Sequence, residues 1–364
     1  MKGVGRLRRF APVIGLIFLS PWVGEFLLGS SPIQNLPAAL VLLVPLYGGG
    51  ALLIREIARR FGRSYPAIVL LGAAYGVIEA GMLDQSMFNS AFLGEAGGSS
   101  VSDFVTSANN ALGYVAGHAI WSIGVPIAMV ELMATDRSAA PWLGRKGLAA
   151  AAILYLAGCV IVFSFVYAEF KFLAAPLELA GAAVAAALLI VAAFAVGKSG
   201  GAPSPSSGST GAGGVVPGSA SGGGVRPWMV GLGAFLASSG FVARPEKSWA
   251  GLIAGALLLA AAWYIVRRWS RSLWWSIRHR LALVSGALLT CAWLGFFVTW
   301  LQWPEDRIAW FGNVLFALMA IALVAAMVRR TRAAVNGASD AAGGTGRTGA
   351  PGPPSPACVK EESK

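Results

Sequence analysis

Four ionisable residues stand inside apolar stretches of this chain: Glu25, Glu79, Asp84 and His118. Each stretch is long and greasy enough to cross a bilayer. A charge there is costly and marks a protein interior or a watery path. A carboxylate and an imidazole in such a place can exchange a proton, bind a cation or activate a water. Asn110, Tyr114, His118 and Ser122 recur every four residues, so four hydrogen-bonding side chains share one helix face. Gly113 and Gly117 flank that stripe, and Gly72 and Gly76 precede Glu79. Such small residues let neighbouring helices approach closely. The candidate ligand-binding residues are therefore Glu25, Glu79, Asp84, Asn110, Tyr114 and His118. If the chain is an enzyme, Glu79 and His118 are the candidate catalytic pair.

Depth arithmetic relates these residues. Glu79 lies 13 residues beyond Pro66, roughly 20 Å along a helix. His118 lies ten residues beyond Ala108, roughly 15 Å along an antiparallel one. In a core about 30 Å thick the two depths differ by about 5 Å, so a Glu79–His118 contact is expected. Glu25 falls at a similar height and Asp84 above them, which predicts a polar vestibule opening outward. Pro21 stands four residues before Glu25, and Pro45 precedes Gly48, Gly49 and Gly50. Proline removes a rung of the helical ladder and consecutive glycines invite unwinding. Broken helices beside intramembrane acids are typical of transporter binding sites. Glu56 and Glu131 stand beside arginines near the inner surface and read as ordinary interfacial ion pairs.

The elements that must hold these side chains are membrane helices. Of 364 residues 56% are hydrophobic and 12% charged, about half the charge of a soluble domain. The pattern predicts an all-α polytopic bundle of about ten spans: 10–28, 37–54, 66–86, 108–133, 147–168, 175–197, 228–243, 248–266, 281–302 and 308–328. With the N-terminus inside, 21 Lys and Arg fall in inner loops and four in outer ones. That bias predicts both termini in the cytoplasm and location in the plasma membrane. The basic start, MKGVGRLRRF, leads into an apolar run without a small-x-small cleavage site, so it reads as an uncleaved first span.

Residues 199–226 are Gly, Ser and Pro rich and are expected to form a flexible linker. It divides a six-span part, 1–198, from a four-span part, 227–332. The remainder, 333–364, has the composition of a disordered tail. Within the second part WSRSLWWSIRHR, 269–280, reads as a short basic helix on the inner membrane face. The expected partners are the bilayer and anionic phospholipids at that face. The net charge of +12 sits mostly at the ends of apolar runs, which argues against nucleic acid. Cys159, Cys291 and Cys358 show no metal-ligand spacing.

The segment resembles one known pattern. The CAAX-protease and bacteriocin-processing family of intramembrane enzymes carries E-E-x-x-x-R on one helix and aromatic-x-x-x-His on a following one. Here Glu79-Ala80-Gly81-Met82-Leu83-Asp84 occupies the first place and Tyr114-Val115-Ala116-Gly117-His118 the second. Ala80 replaces the second Glu, and Asp84 stands where Arg belongs. The resemblance implies Glu79 as base and His118 as oxyanion or water partner. The segments ALLIREIARRFGRSYP and AYGVIEAGMLDQSMFN also resemble multi-pass membrane proteins of high-GC bacteria.

There is no nucleotide-binding loop and no nucleophile elbow, and with two His no histidine cluster for a metal; no cofactor is expected. Three functions fit the sequence. The foremost is a non-enzymatic protein that binds or transports a small solute or lipid. The others are a CAAX-protease-like hydrolase and a structural or regulatory subunit.

Overall fold

The computed structural model describes residues 2–89, 101–134, 137–196 and 224–344. It is an all-α bundle: 82% of the described residues are helical, with no strand among them. Ten helical stretches follow in order among these residues. They are α1 (Phe10–Phe26, helical from Lys2), α2 (Ile33–Arg60), α3 (Tyr65–Leu83), α4 (Val105–Met133, helical from Val101) and α5 (Arg145–Phe170). Then come α6 (Pro176–Ala195), α7 (Pro227–Val242), α8 (Trp249–Trp269), α9 (Ile277–Gln302) and α10 (Arg307–Gly344). Eight are long and apolar enough to cross a membrane; α1 and α7 are the shorter apolar ones.

Local sequence fixes where they start and stop. Pro66, Pro176 and Pro227 stand in the first turns of α3, α6 and α7, where the missing N–H would be unpaired anyway. Lys171 closes α5 in the left-handed conformation, and Asp306 accepts the Ile308 and Ala309 N–H groups that open α10.

The bundle is built around α4. Its apolar window is 67% buried, whereas that of α8 is 11% buried. Around it pack α1, α2 and α3 on one side and α9 on the other. Two larger apolar cores result, beside a small one of Val77, Ala182 and Ala186. One joins Leu16, Leu46, Ile68 and Ile127 from α1 to α4. The other joins Phe26, Trp121, Met129, Leu288 and Phe316, so the helices before and after the Gly/Ser segment share a core. Trp121 Nε1 donates to the Ala287 carbonyl at 2.8 Å across that seam.

Two expectations about the connecting segments change. Residues 270–276 are turns, and the helix expected over 269–280 is split between the end of α8 and the start of α9. The reason is local: Ser276 N–H donates to His279 Nδ1 at 3.1 Å and so opens α9, with Trp274 and Trp275 packed on the His279 ring. The expected tail is helical over residues 333–344, because α10 continues to Gly344; 345–364 lie outside the described residues. Most of the expected linker, 199–223, lies outside them too. Its end is anchored: His279 Nε2 donates to the Val225 carbonyl at 2.8 Å.

Candidate functional site

Helices α1 to α4 each carry one π-helical segment. These are Trp22–Phe26, Val44–Gly48, Glu79–Leu83 and His118–Gly124. Each contains one member of a single polar cluster: Glu25, Tyr47, Glu79 and His118. Widened turns of this kind occur mostly as single bulges and often at functional sites. Pro21 precedes the first and Pro45 stands in the first turn of the second, where a lost N–H and a ring against the preceding turn loosen the ladder. The unwinding expected at these prolines is thus a widened turn in a continuous helix.

Tyr47 is the hub. Its hydroxyl donates to Glu25 Oε1, so its lone pairs face the rest of the cluster. His118 Nε2 lies 3.2 Å from that oxygen and 3.0 Å from Glu79 Oε2. Glu79 Oε1 is 3.5 Å from the Tyr47 hydroxyl. On the other side of the ring, His118 Nδ1 donates to the Tyr114 carbonyl at 2.7 Å. That bond fixes the tautomer. Nε2 is then the nitrogen that faces Glu79 Oε2. The chain gives Glu79 and Tyr75 almost no solvent, 6% and 2% exposure. Yet Glu79 Oε2, though close to Nε2, has no aligned donor, and the Tyr75 hydroxyl has no partner. The Tyr75 ring lies 5.7 Å from the His118 ring and 5.9 Å from that of Tyr47. Two unsatisfied polar atoms therefore sit in one small space.

Close backbone approach makes the contact possible. A Cβ on Gly76 would lie 3.0 Å from His118 Cβ and 3.1 Å from Val115 Cα. Ser20, fully buried, lies 2.6 Å from the Ser122 carbonyl and 3.1 Å from that of Tyr47. It takes up carbonyls from two of the widened turns and ties α1 to α2 and α4.

The candidate residues divide accordingly. Glu25, Glu79 and His118 come together through Tyr47. Asp84 ends the Glu79 turn, 9% exposed, and accepts the Ser86 N–H at 2.9 Å. Tyr114 contributes its carbonyl to His118. Asn110 is half-buried outside the cluster. Its neighbour Asn109 is fully buried, donating to the Val105 and Ser248 carbonyls at 3.0 and 3.2 Å. Ser122 is buried against α1: a Cβ on Gly24 would lie 2.7 Å from its hydroxyl oxygen and 3.1 Å from the Tyr47 ring, and Ser20 binds its carbonyl. Sequence reasoning missed Tyr47; Pro45 two residues before it was the available signal.

At the opposite end of α3 and α4 lies a second polar cluster. Glu56 and Glu131 are fully buried there, not interfacial. Glu131 accepts from Arg55 Nε at 3.0 Å, from Arg59 at 2.8 and 2.6 Å, and from the Tyr65 hydroxyl. Glu56 accepts from Arg55 at 2.8 Å and from the Trp142 and Leu143 N–H groups. The Arg55 guanidinium stacks 3.5 Å from the centre of the Trp142 ring. Every carboxylate here is satisfied, which is the mark of a structural clasp. Among the described residues no group of three or more His, Cys, Asp or Glu is placed to hold a metal ion.

A family model described as an uncharacterized membrane protein family matches residues 15–342. The chain belongs to that family. The matched range contains both polar clusters and helices from each side of the Gly/Ser segment. The protein is thus a multi-pass integral membrane protein. No curated protein and no solved structure matches the chain.

Proposed function

We propose that Glu79 and His118 hold an exchangeable proton, and that the protein binds or moves a small solute or lipid in step with it. One observation carries this reading. A buried carboxylate, Glu79, and a half-buried one, Glu25, converge on one imidazole and Tyr47, with no Lys or Arg in the cluster's hydrogen bonds or ion pairs among the described residues. With one proton shared between Glu79 and His118, the cluster retains one negative charge. An uncompensated charge away from water is strongly unfavourable, so the site favours a second proton or a small cationic group. The Tyr75 hydroxyl, which has no partner, is free to receive it. Cytoplasmic termini, which the balance of Lys and Arg supports, put the Asp84 end outside, so entry is from that side of the plasma membrane.

A CAAX-protease-like peptidase ranks second. Its chemistry wants a water between Glu79 and His118, and a direct approach of 3.0 Å favours a shared proton. Solid-supported membrane electrophysiology on proteoliposomes tests the proposal. A panel of small amines, zwitterions and lysolipids is applied under an inward proton gradient. At least one should give a current that Glu79→Gln abolishes in folded protein. No current from any of them, or currents indifferent to Glu79→Gln, would sink it.

A further inference from the structure

Helix α8 turns more of its apolar surface outward than any other candidate span: only 11% of its apolar window is buried. It is 21 residues long, with Trp249 at one end and Trp269 at the other. That is roughly 30 Å along a helix, the thickness of the hydrocarbon core, and tryptophans favour the level of the headgroups. The Trp269 end therefore lies at headgroup depth. There Tyr264, Arg267, Arg268 and Arg271 recur at i, i+3, i+4 and i+7, on one helix face. Together they line a cavity of about 360 Å³, inside the range of about 300–1,000 Å³ that small-molecule sites span. These three arginines differ from those of the clasp. Arg55 and Arg59 pair with Glu131, Arg60 pairs with Glu56, and Arg280 donates to the Tyr65 hydroxyl at 3.3 Å. Among the described residues no carboxylate lies within ion-pair distance of Arg267, Arg268 or Arg271. Three like charges within two turns repel one another and call for an anion. Beside them Leu273, in the turns after α8, is fully exposed, an apolar side chain suited to the boundary of headgroups and acyl chains.

We propose that this cavity binds the headgroup of one anionic phospholipid, its phosphate held by Arg267, Arg268 and Arg271 and its glycerol lying against Tyr264. Guanidinium N–H groups match phosphate oxygens two at a time. The phosphate belongs to a lipid because the cavity lies at headgroup depth on the helix most open to the bilayer. Tyr264, 64% exposed, stands one turn nearer the hydrocarbon, where a lipid continues and a free phosphate does not. The lipid is anionic because a zwitterionic headgroup would bring an ammonium back among three guanidinium groups. The site is remote in sequence from Glu79 and does not depend on proton exchange there.

The full chain in mild detergent is titrated with phosphatidylglycerol, and the bound lipid is counted by native mass spectrometry. A first lipid should be retained well ahead of any other, and phosphatidylcholine with the same acyl chains should not replace it. Arg267→Gln, Arg268→Gln and Arg271→Gln should each lower its affinity about fivefold, the worth of one cation at a lipid surface. Arg329→Gln combined with Arg330→Gln removes two exposed cations from α10 and should leave that first lipid in place. Excess inorganic phosphate should not displace it. Glu79→Gln should leave binding unchanged, so failure here is distinguishable from failure of the proton reading. Thermal melting confirms that each variant is folded; the altered side chains are exposed or half-buried. Lipid uptake that falls as much with the α10 pair as with the α8 arginines would reduce the site to diffuse charge and overturn the proposal. Equal retention of phosphatidylcholine, or displacement by inorganic phosphate, would overturn it too.

Discussion

Glu131→Gln changes a single atom and should unlock the clasp at the end of α3 and α4. Glu131 is 1% exposed and accepts four hydrogen bonds, three of them from two guanidinium groups. Hydrogen bonds to charged groups are worth about 1.5–3 kcal/mol each, so complete loss would set a ceiling of several such units. The amide keeps one acceptor oxygen, and Arg55 keeps Glu56 at 2.8 Å. What remains is a buried guanidinium without its full countercharge and an amide N–H₂ turned toward a donor. Breaking a buried pair in this way costs about 3–5 kcal/mol. The assay is unfolding in mixed detergent micelles, followed by tryptophan fluorescence; Trp142, stacked on Arg55, reports on the clasp. Arg59→Gln and the double variant complete a cycle, with a coupling energy of about 1–3 kcal/mol expected. A loss below about 0.5 kcal/mol, the range of ordinary surface substitutions, would refute the view that this network is a buried structural clasp.

Other outcomes follow from close packing and from one half-buried acid at a helix start. Gly76→Val puts a branched side chain where even a Cβ would sit 3.0 Å from His118; it should destabilise the fold by about 1–3 kcal/mol and part Glu79 from His118, read by crosslinking between α3 and α4. Asp306, which accepts the first N–H groups of α10, should titrate below its usual 3.8 because those bonds favour the carboxylate. A lowered folded value means that its contribution is present above the ordinary carboxylate range and lost as pH falls through the folded one. Acidification should therefore speed hydrogen exchange at Ile308 and Ala309, and Asp306→Asn should remove that acid dependence.

Much of the architecture was legible because membrane helices announce themselves by length and hydropathy. Both shorter stretches, α1 and α7, fall where the charge pattern asked for spans. The Glu79–His118 approach was legible for a simple reason: consecutive antiparallel helices make depth computable from residue counts. Rotation about the axis was not. A regular i, i+4 reading assumes an unbroken α period, and the π segment from His118 to Gly124 breaks it. The spacing pointed to Asn110, whereas its neighbour Asn109 is the buried one. Tyr47 was hidden because tyrosine in a membrane helix ordinarily reads as packing. Glu56 and Glu131 were misplaced at the surface because adjacent arginines look interfacial in sequence. Only the fold of residues 137–143 over Arg55, through the Arg137 and Ser138 carbonyls and Trp142, shows them sealed in.

The central claim is that the Glu25–Tyr47–His118–Glu79 cluster exchanges a proton rather than merely fixing helix register. Infrared difference spectroscopy of the protein in lipid, titrated between about pH 5 and 8 where imidazole ordinarily changes charge, tests this most directly. Tyr47→Phe serves as a second perturbation. The account predicts a carboxyl band that gains or loses intensity across the titration, vanishes in Glu79→Gln and shifts in Tyr47→Phe. A Glu79 band that stays silent throughout, in a protein that Glu79→Gln only makes easier to melt, would contradict it.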